Sequence, residues 1–194
     1  MKTLVTGGNR GLGQTLVKEL KADSISRTNG FDITKDVDLI VNKSLQYEVF
    51  INNAFDGPPQ APHANFGQTV LLCKMFDAWK QAGKTGHIFN IGSIASDDIV
   101  GPEPSWETYR VSKKSLESAS LQCSRAFRKN LVRFRTCLIK PDRLDTELSR
   151  SRNNWTGNGV NCLDICNFIT YCFSLNNNTQ IDQVTIGLNY EHQD

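Results

Sequence analysis

No apolar run in this chain approaches the roughly twenty residues that a bilayer-spanning helix needs, so a membrane-crossing protein is not expected. Excess charge is missing too. The 22 Lys and Arg against 20 Asp and Glu leave +2, which offers no broad basic surface for nucleic acid or anionic lipid. There is no C-x-x-C pair among Cys73, Cys123, Cys137, Cys162, Cys166 and Cys172. Cys162 and Cys166 stand one helical turn apart and could share a metal. The preferred reading is buried free thiols in a reducing cytosol, hence a cytoplasmic protein with no metal. Internal repeats and low-complexity linkers are also lacking. The length of 194 residues then predicts one domain with its own core, residues 1–194. The N-terminus runs straight into a strand, leaving no room for a signal peptide.

What is present begins at that strand. Thr3 to Thr6 is β-rich and breaks at Gly7-Gly8, and an apolar helical pattern starts at Leu12 and continues through Leu16, Val17 and Leu20. The connecting turn reads Thr6-Gly-Gly-Asn-Arg-Gly-Leu-Gly13. Gly7 can take backbone angles closed to other residues. Gly11 lets the main chain approach a ligand, and Gly13 lets helix and strand pack closely. The helix N-terminus behind it presents free N–H groups to a phosphate. An ordinary glycine-rich βα turn would share the composition, but strand before and helix after are the context that a dinucleotide site requires.

The remaining chain alternates strands with helices. Strands are expected at Asp23–Arg27, Tyr47–Asn52, Gly86–Ser93, Leu131–Ile139 and Gln183–Leu188. Helices are expected at about Asp36–Leu45, Phe66–Ala82, Glu107–Lys129 and Leu163–Leu175. This predicts an α/β protein, a doubly wound parallel sheet of the Rossmann type with helices on both faces. Its ligand belongs at the carboxyl ends of the strands, where strand order reverses.

Tyr109-Arg-Val-Ser-Lys113 opens the longest helix. Residues four apart share a face, so phenol and ammonium point the same way. A free phenol, with a pKa near 10, is a poor acid–base at neutral pH, and a nearby cation lowers it. Ser93, ending a strand at the same crevice, could donate to a developing alkoxide. A surface Tyr–Lys pair and a turn-capping serine would have the same residue types, and Asn65 at a helix entry would serve equally as an N-cap.

Together these motifs resemble the short-chain dehydrogenase/reductase family over nearly the whole chain. Thr6 to Gly13 is similar to its cofactor fingerprint. Asn52-Asn53-Ala54 resembles its strand-four motif, with Phe55 in place of the usual glycine. Asn65, Ser93, Tyr109 and Lys113 fall in the order of its catalytic tetrad. Pro141 to Thr146 resembles the stretch over the nicotinamide, with Asp142 where glycine is usual. The departures are a missing second helix and third strand after Arg27, which predicts six strands and a truncated sheet edge, and a short substrate-side segment, 147–160, which predicts an open pocket. Ser96 has the more usual spacing to Tyr109, but Ser93 fits the strand pattern and is preferred.

The resemblance implies an NADP(H)-dependent oxidoreductase that interconverts a small carbonyl compound and its alcohol. In it Tyr109 would pass the proton, Lys113 would lower the phenol's pKa and hold the nicotinamide ribose, Ser93 would bind the carbonyl oxygen, and Asn65 would hold a water. Cofactor contacts are expected at Gly7, Asn9, Arg10, Gly11, Leu12, Gly13, Ser26, Arg27, Asp32, Ile33, Asn53, Ala54, Tyr109, Lys113, Pro141, Leu144 and Thr146. NADP(H) is preferred because Ser26-Arg27 stands where an NAD enzyme places an acid, and a guanidinium forks onto phosphate. Homo-oligomerisation through the Tyr109 helix and the Phe66–Ala82 helix is also implied. A non-catalytic NADP(H)-binding redox sensor or scaffold is the alternative.

Overall fold

The structure, a computed structural model, describes residues 1–55, 66–98, 106–152, 155 and 157–188. Within them lie strands β1 (Thr3–Thr6), β2 (Asp23–Ile25), β3 (Val49–Asn52), β4 (Thr85–Ile91), β5 (Arg133–Pro141) and β6 (Gln183–Ile186). The helices are α1 (Gly11–Leu20), α2 (Val37–Ser44), α3 (Gly67–Gln81), α4 (Glu107–Arg128), the short α5 (Glu147–Arg150) and α6 (Cys162–Ser174). The strands form one parallel sheet in the order β2-β1-β3-β4-β5-β6. This is the expected Rossmann-type sheet with six strands. Its order reverses between β1 and β3, which opens the crevice at Thr6 and Asn52.

Alternation along the strands explains why both faces are covered. Leu4, Phe50, Ile88 and Leu138 join one core with Ile40, Leu71, Met75, Trp79 and Leu116, beneath α2, α3 and α4. Their neighbours Val5, Ile51, Phe89 and Ile139 join the other core with Leu12, Leu16, Ile165, Cys166 and Ile169, beneath α1 and α6. Side chains with a period of two point to opposite faces, so a strand buried on both sides reads as continuously apolar.

Three sequence expectations are corrected. β2 ends at Ile25 rather than Arg27, because Arg27–Asn29 winds into a 3-10 turn. That turn is drawn in by Asn29, whose Oδ1 accepts from the Ser26 N–H at 2.6 Å, and is closed by Gly30 at φ +88°. α5 falls in a stretch read as a polar segment; Thr146 caps it by accepting from the Ser149 N–H. The cysteines are free, but Cys73 is exposed and Cys123 half-buried, so only Cys137, Cys162, Cys166 and Cys172 fit the reading as buried thiols. Among the described residues, no group of His, Cys, Asp and Glu could hold a metal, and no helix is long and apolar enough to cross a membrane.

Candidate active site

The glycine turn closes on itself. Gly7 and Gly11 take φ +73° and +53°, the left-handed region that favours glycine. A Cβ on Gly13 would lie 2.1 Å from the Gly7 carbonyl oxygen, so only glycine fits there. Asn53 braces the turn: its Nδ2 donates to the Thr6 carbonyl at 3.0 Å, and the Asn53 and Ala54 N–H groups donate to Thr6 Oγ1, each at 2.9 Å. Asn9 Nδ2 donates to Ser26 Oγ at 3.0 Å and to Thr28 Oγ1, tying the turn to the end of β2. Thr146 lies over Gly11, its methyl 3.4 Å from where a Cβ would stand.

This end suits a dinucleotide phosphate. α1 carries no side-chain cap at Arg10 and no acid in its first turn, so its leading N–H groups are left to an anion. Arg10 is exposed beside it. Asp32 spends its carboxylate on the Thr34 backbone and hydroxyl, which hold its pKa below the ordinary value. The Ile33 side chain is spent in the core, against Gly67. Leu144 pairs with Val160 in an isolated parallel bridge. Pro141 ends β5.

At the other end, α4 turns Tyr109, Lys113 and Glu117 to one side, each four residues after the last. The Ser93 hydroxyl lies close enough to the Tyr109 phenol to pull its pKa down. Ser93 can reach it because it stands just past the end of β4, in extended backbone, as the cap of a 3-10 turn at Ile94–Ser96. Ser96 is buried and donates to Glu117 Oε2 at 2.6 Å, away from the phenol. Of the two serines, the structure brings Ser93 to Tyr109.

Lys113 is buried, and its Nζ donates to Gln68 Oε1 at 2.6 Å and to the Ile91 carbonyl at 3.1 Å. Its remaining surroundings are aromatic, with the Phe55 and Tyr109 ring centroids 5.1 and 5.5 Å from Nζ. Burial brings its pKa down to about 7. Tyr109 is half-buried, and burial pushes its pKa above the ordinary value, while Ser93 and the charge of Arg152 pull it down. Lys113 is not among the groups that pull the phenol's pKa down here. The lowering comes from Ser93 and Arg152, and Lys113 is itself pushed toward neutrality. The free protein therefore holds Tyr109 as a phenol, ready to donate.

Rings enclose the phenol. Phe55 meets Tyr109 edge-on at 5.1 Å and Trp106 does so at 5.5 Å, with the Arg152 guanidinium 4.9 Å over Trp106. Phe55, standing where the resembled family usually has glycine, thus lands against both Tyr109 and Lys113. Asn65 lies outside the described residues. Gln68, three residues further along the sequence, is the partner of Lys113 that the sequence reading missed. It is buried, and its Nε2 donates to the Asn52 carbonyl at 2.9 Å. The signal that could have found it is a polar residue three positions into an otherwise apolar helix face, followed by Leu71 and Leu72.

No protein-family model matches the chain, and no curated protein matches it by sequence. Solved structures do match. A 3-ketoacyl-(acyl-carrier-protein) reductase from Brucella melitensis, complexed with NADH, superposes with a TM-score of 0.75 at 17% identity, over 95% of this chain and 96% of that one. A short chain dehydrogenase from Burkholderia cenocepacia J2315, in complex with NADP, does so with 0.74 at 21%, over 97% and 90%. A 3-alpha-hydroxysteroid dehydrogenase from Pseudomonas sp. B-0831, complexed with NADH, gives 0.73 at 14%, over 96% and 95%. With its parallel sheet, its glycine turn at the point where strand order reverses and its Ser93–Tyr109–Lys113 cluster, the chain has the fold of the short-chain dehydrogenases/reductases.

Proposed function

We propose that this protein is an NADP(H)-dependent oxidoreductase of the short-chain dehydrogenase/reductase family, interconverting a small carbonyl compound and its alcohol. The observation that carries this is the grouping of Ser93, the Tyr109 phenol and buried Lys113 at the crevice that the glycine turn opens. In the reductive direction Tyr109 gives its proton to the substrate oxygen, and Ser93 donates to the same oxygen as charge develops on it. In its charged form Lys113, held by Gln68 and the Ile91 carbonyl, keeps one of its three N–H groups for the cofactor's ribose. Bound nicotinamide supplies the hydride, and the chain supplies position. Asn65 is assigned the water that links Lys113 to solvent.

NADP(H) is preferred over NAD(H). Two of the structural neighbours named above were solved with NADH and one with NADP, so the choice rests on this chain's own residues. Arg27 follows β2, Arg10 stands in the glycine turn, and the Asn9–Ser26–Thr28 amide and hydroxyl cluster ties the two together, which supports recognition of a 2′-phosphate there. The remaining assignments are Gly7, Gly11, Leu12 and Gly13 around the pyrophosphate, Asp32, Ile33, Asn53 and Ala54 on the adenosine side, and Pro141, Leu144 and Thr146 above the nicotinamide. A cytoplasmic homo-oligomer completes the reading. The test is NADPH consumption with a panel of aldehydes, ketones and quinones. Turnover that Tyr109→Phe abolishes supports it, and no turnover with any of them sinks it.

Phe55 favours one second reading, a non-catalytic NADP(H)-binding protein, because its ring covers the Lys113 ammonium and the Tyr109 edge. Tight NADPH binding without turnover would select that reading.

A further inference from the structure

Behind Ser93 lies a set of charges that the proposed reaction does not touch. Lys140, on β5, is 1% exposed, and Glu117, on α4, is 8% exposed. Lys140 Nζ pairs with Glu117 Oε2 at 3.2 Å and with Asp97. Glu117 also accepts from Ser96 Oγ at 2.6 Å and from Lys114 Nζ at 3.0 Å. Ser96 Oγ lies 2.9 Å from the Ser93 carbonyl as well. The group thus clamps the turn Ile94–Ser96 from two sides, to α4 through Ser96–Glu117 and to β5 through Asp97–Lys140.

Burying an ion pair costs desolvation of both ions, and an apolar pair of similar volume is often no less stable. Stability alone therefore gives little account of a charged pair at the end of a core strand. Its geometry gives a better one. Ser93 and Tyr109 sit on separate elements, β4's end and α4, and the hydroxyl must meet the phenol. Glu117 follows Lys113 by one helical turn and Tyr109 by two, so it fixes the turn that carries Ser93 to the same helix face that carries Tyr109. Lys140 fixes that turn to the sheet.

We propose that Glu117 and Lys140 are positioning residues for Ser93, acting through Ser96 and Asp97. This rests on Ser93 and Tyr109 having the roles proposed above. The test is the double variant Glu117→Leu/Lys140→Met, which leaves no unpaired charge buried, since Asp97 and Lys114 retain solvent contact. It is compared with Ser93→Ala and with the triple variant. NADPH turnover is read on the carbonyl that the wild-type protein reduces fastest. The Cζ resonance of 13C-labelled Tyr109, assigned with Tyr109→Phe, is read without substrate.

The double variant should lose turnover by tenfold or more at unchanged KM for NADPH, and its Tyr109 resonance should move toward that of Ser93→Ala. Adding Ser93→Ala should then cost little more, because residues that act through one another are not additive. Ser96→Ala, which cuts one link and keeps the charges, should show a smaller move in the same direction and decides the matter if the double variant does not fold. Wild-type turnover and resonance in these variants, or losses that add to those of Ser93→Ala, overturn the proposal. If the wild-type protein reduces no carbonyl, the reaction proposed above fails, and the resonance alone decides whether the clamp positions Ser93.

Discussion

At the glycine-turn end of the crevice the facing polar atoms are mostly backbone, held by Thr6 and Asn53 and open to an anion at the start of α1. At the Tyr109 end they are mostly side chains, those of Gln68, Ser93, Tyr109 and Lys113, roofed by Phe55 and Trp106. One end is a cradle of main-chain groups. The other is a packed cluster in which Lys113 has two acceptors and two rings around it. The first is built to bind and the second to be precise, so mutations should separate the two.

The sharpest separation is Tyr109→Phe. Removing the proton donor should cost roughly 10²–10⁴-fold in turnover and leave NADPH affinity, measured by fluorescence titration, nearly unchanged. A parallel loss of affinity would show that the two ends are one unit. Next comes Ser93→Ala, which removes one donor to the developing oxyanion and should cost about a hundredfold in kcat. Ser96→Ala should cost less than that, since its hydroxyl serves Glu117. Reversed results would move the oxygen-binding role to Ser96. At the cradle end the expected effect is on binding alone. A charge-assisted contact to phosphate is worth about 1.5–3 kcal/mol, so Arg27→Asp should weaken NADPH binding about tenfold or more and leave kcat at saturation intact. Equal affinity of the wild-type protein for NADH and NADPH would defeat the assignment of Arg27 and Arg10.

The two ends also differ in how far the sequence discloses them. The cradle is local: strand, glycines and helix are contiguous from Thr3 to Leu20, and Gly7, Gly11 and Gly13 have the conformations and contacts their spacing implies. The sheet was legible for a similar reason, since continuous apolar strands alternate with amphipathic helices. The early end of β2 was not, because a single side-chain contact from Asn29 turns the chain there. The Tyr109 end is assembled from distant segments. Spacing alone places Tyr109 and Lys113 on one face, but that Lys113 meets Gln68, and that Ser93 and Arg152 temper the phenol, depends on packing across the sheet. Phe55 was visible as a departure, and its position against both Tyr109 and Lys113 was not.

Phe55 supplies the smallest effect and the finest discrimination. For a ribose hydroxyl to reach Lys113 the Phe55 ring must move aside, giving up its contacts with the ammonium and the phenol ring. Such contacts are worth about 0.5–1.5 kcal/mol, so Phe55→Ala should tighten NADPH binding by roughly two- to tenfold. The same change admits water to Lys113, and pH reads this out independently. Folding lowers the Lys113 pKa from 10.5 to about 7 by burial. Between those values the unfolded chain holds the proton that the folded chain releases, so stability rises with pH across that window. The stabilisation is complete above 10.5 and is lost as pH falls through about 7. With the ring gone, the folded-state pKa moves up and the window narrows from below. Urea midpoints taken between pH 7 and 9.5 should therefore climb more in the wild-type protein than in Phe55→Ala. An identical climb in both, with unchanged NADPH affinity, would mean that Phe55 neither roofs Lys113 nor stands in the cofactor's way.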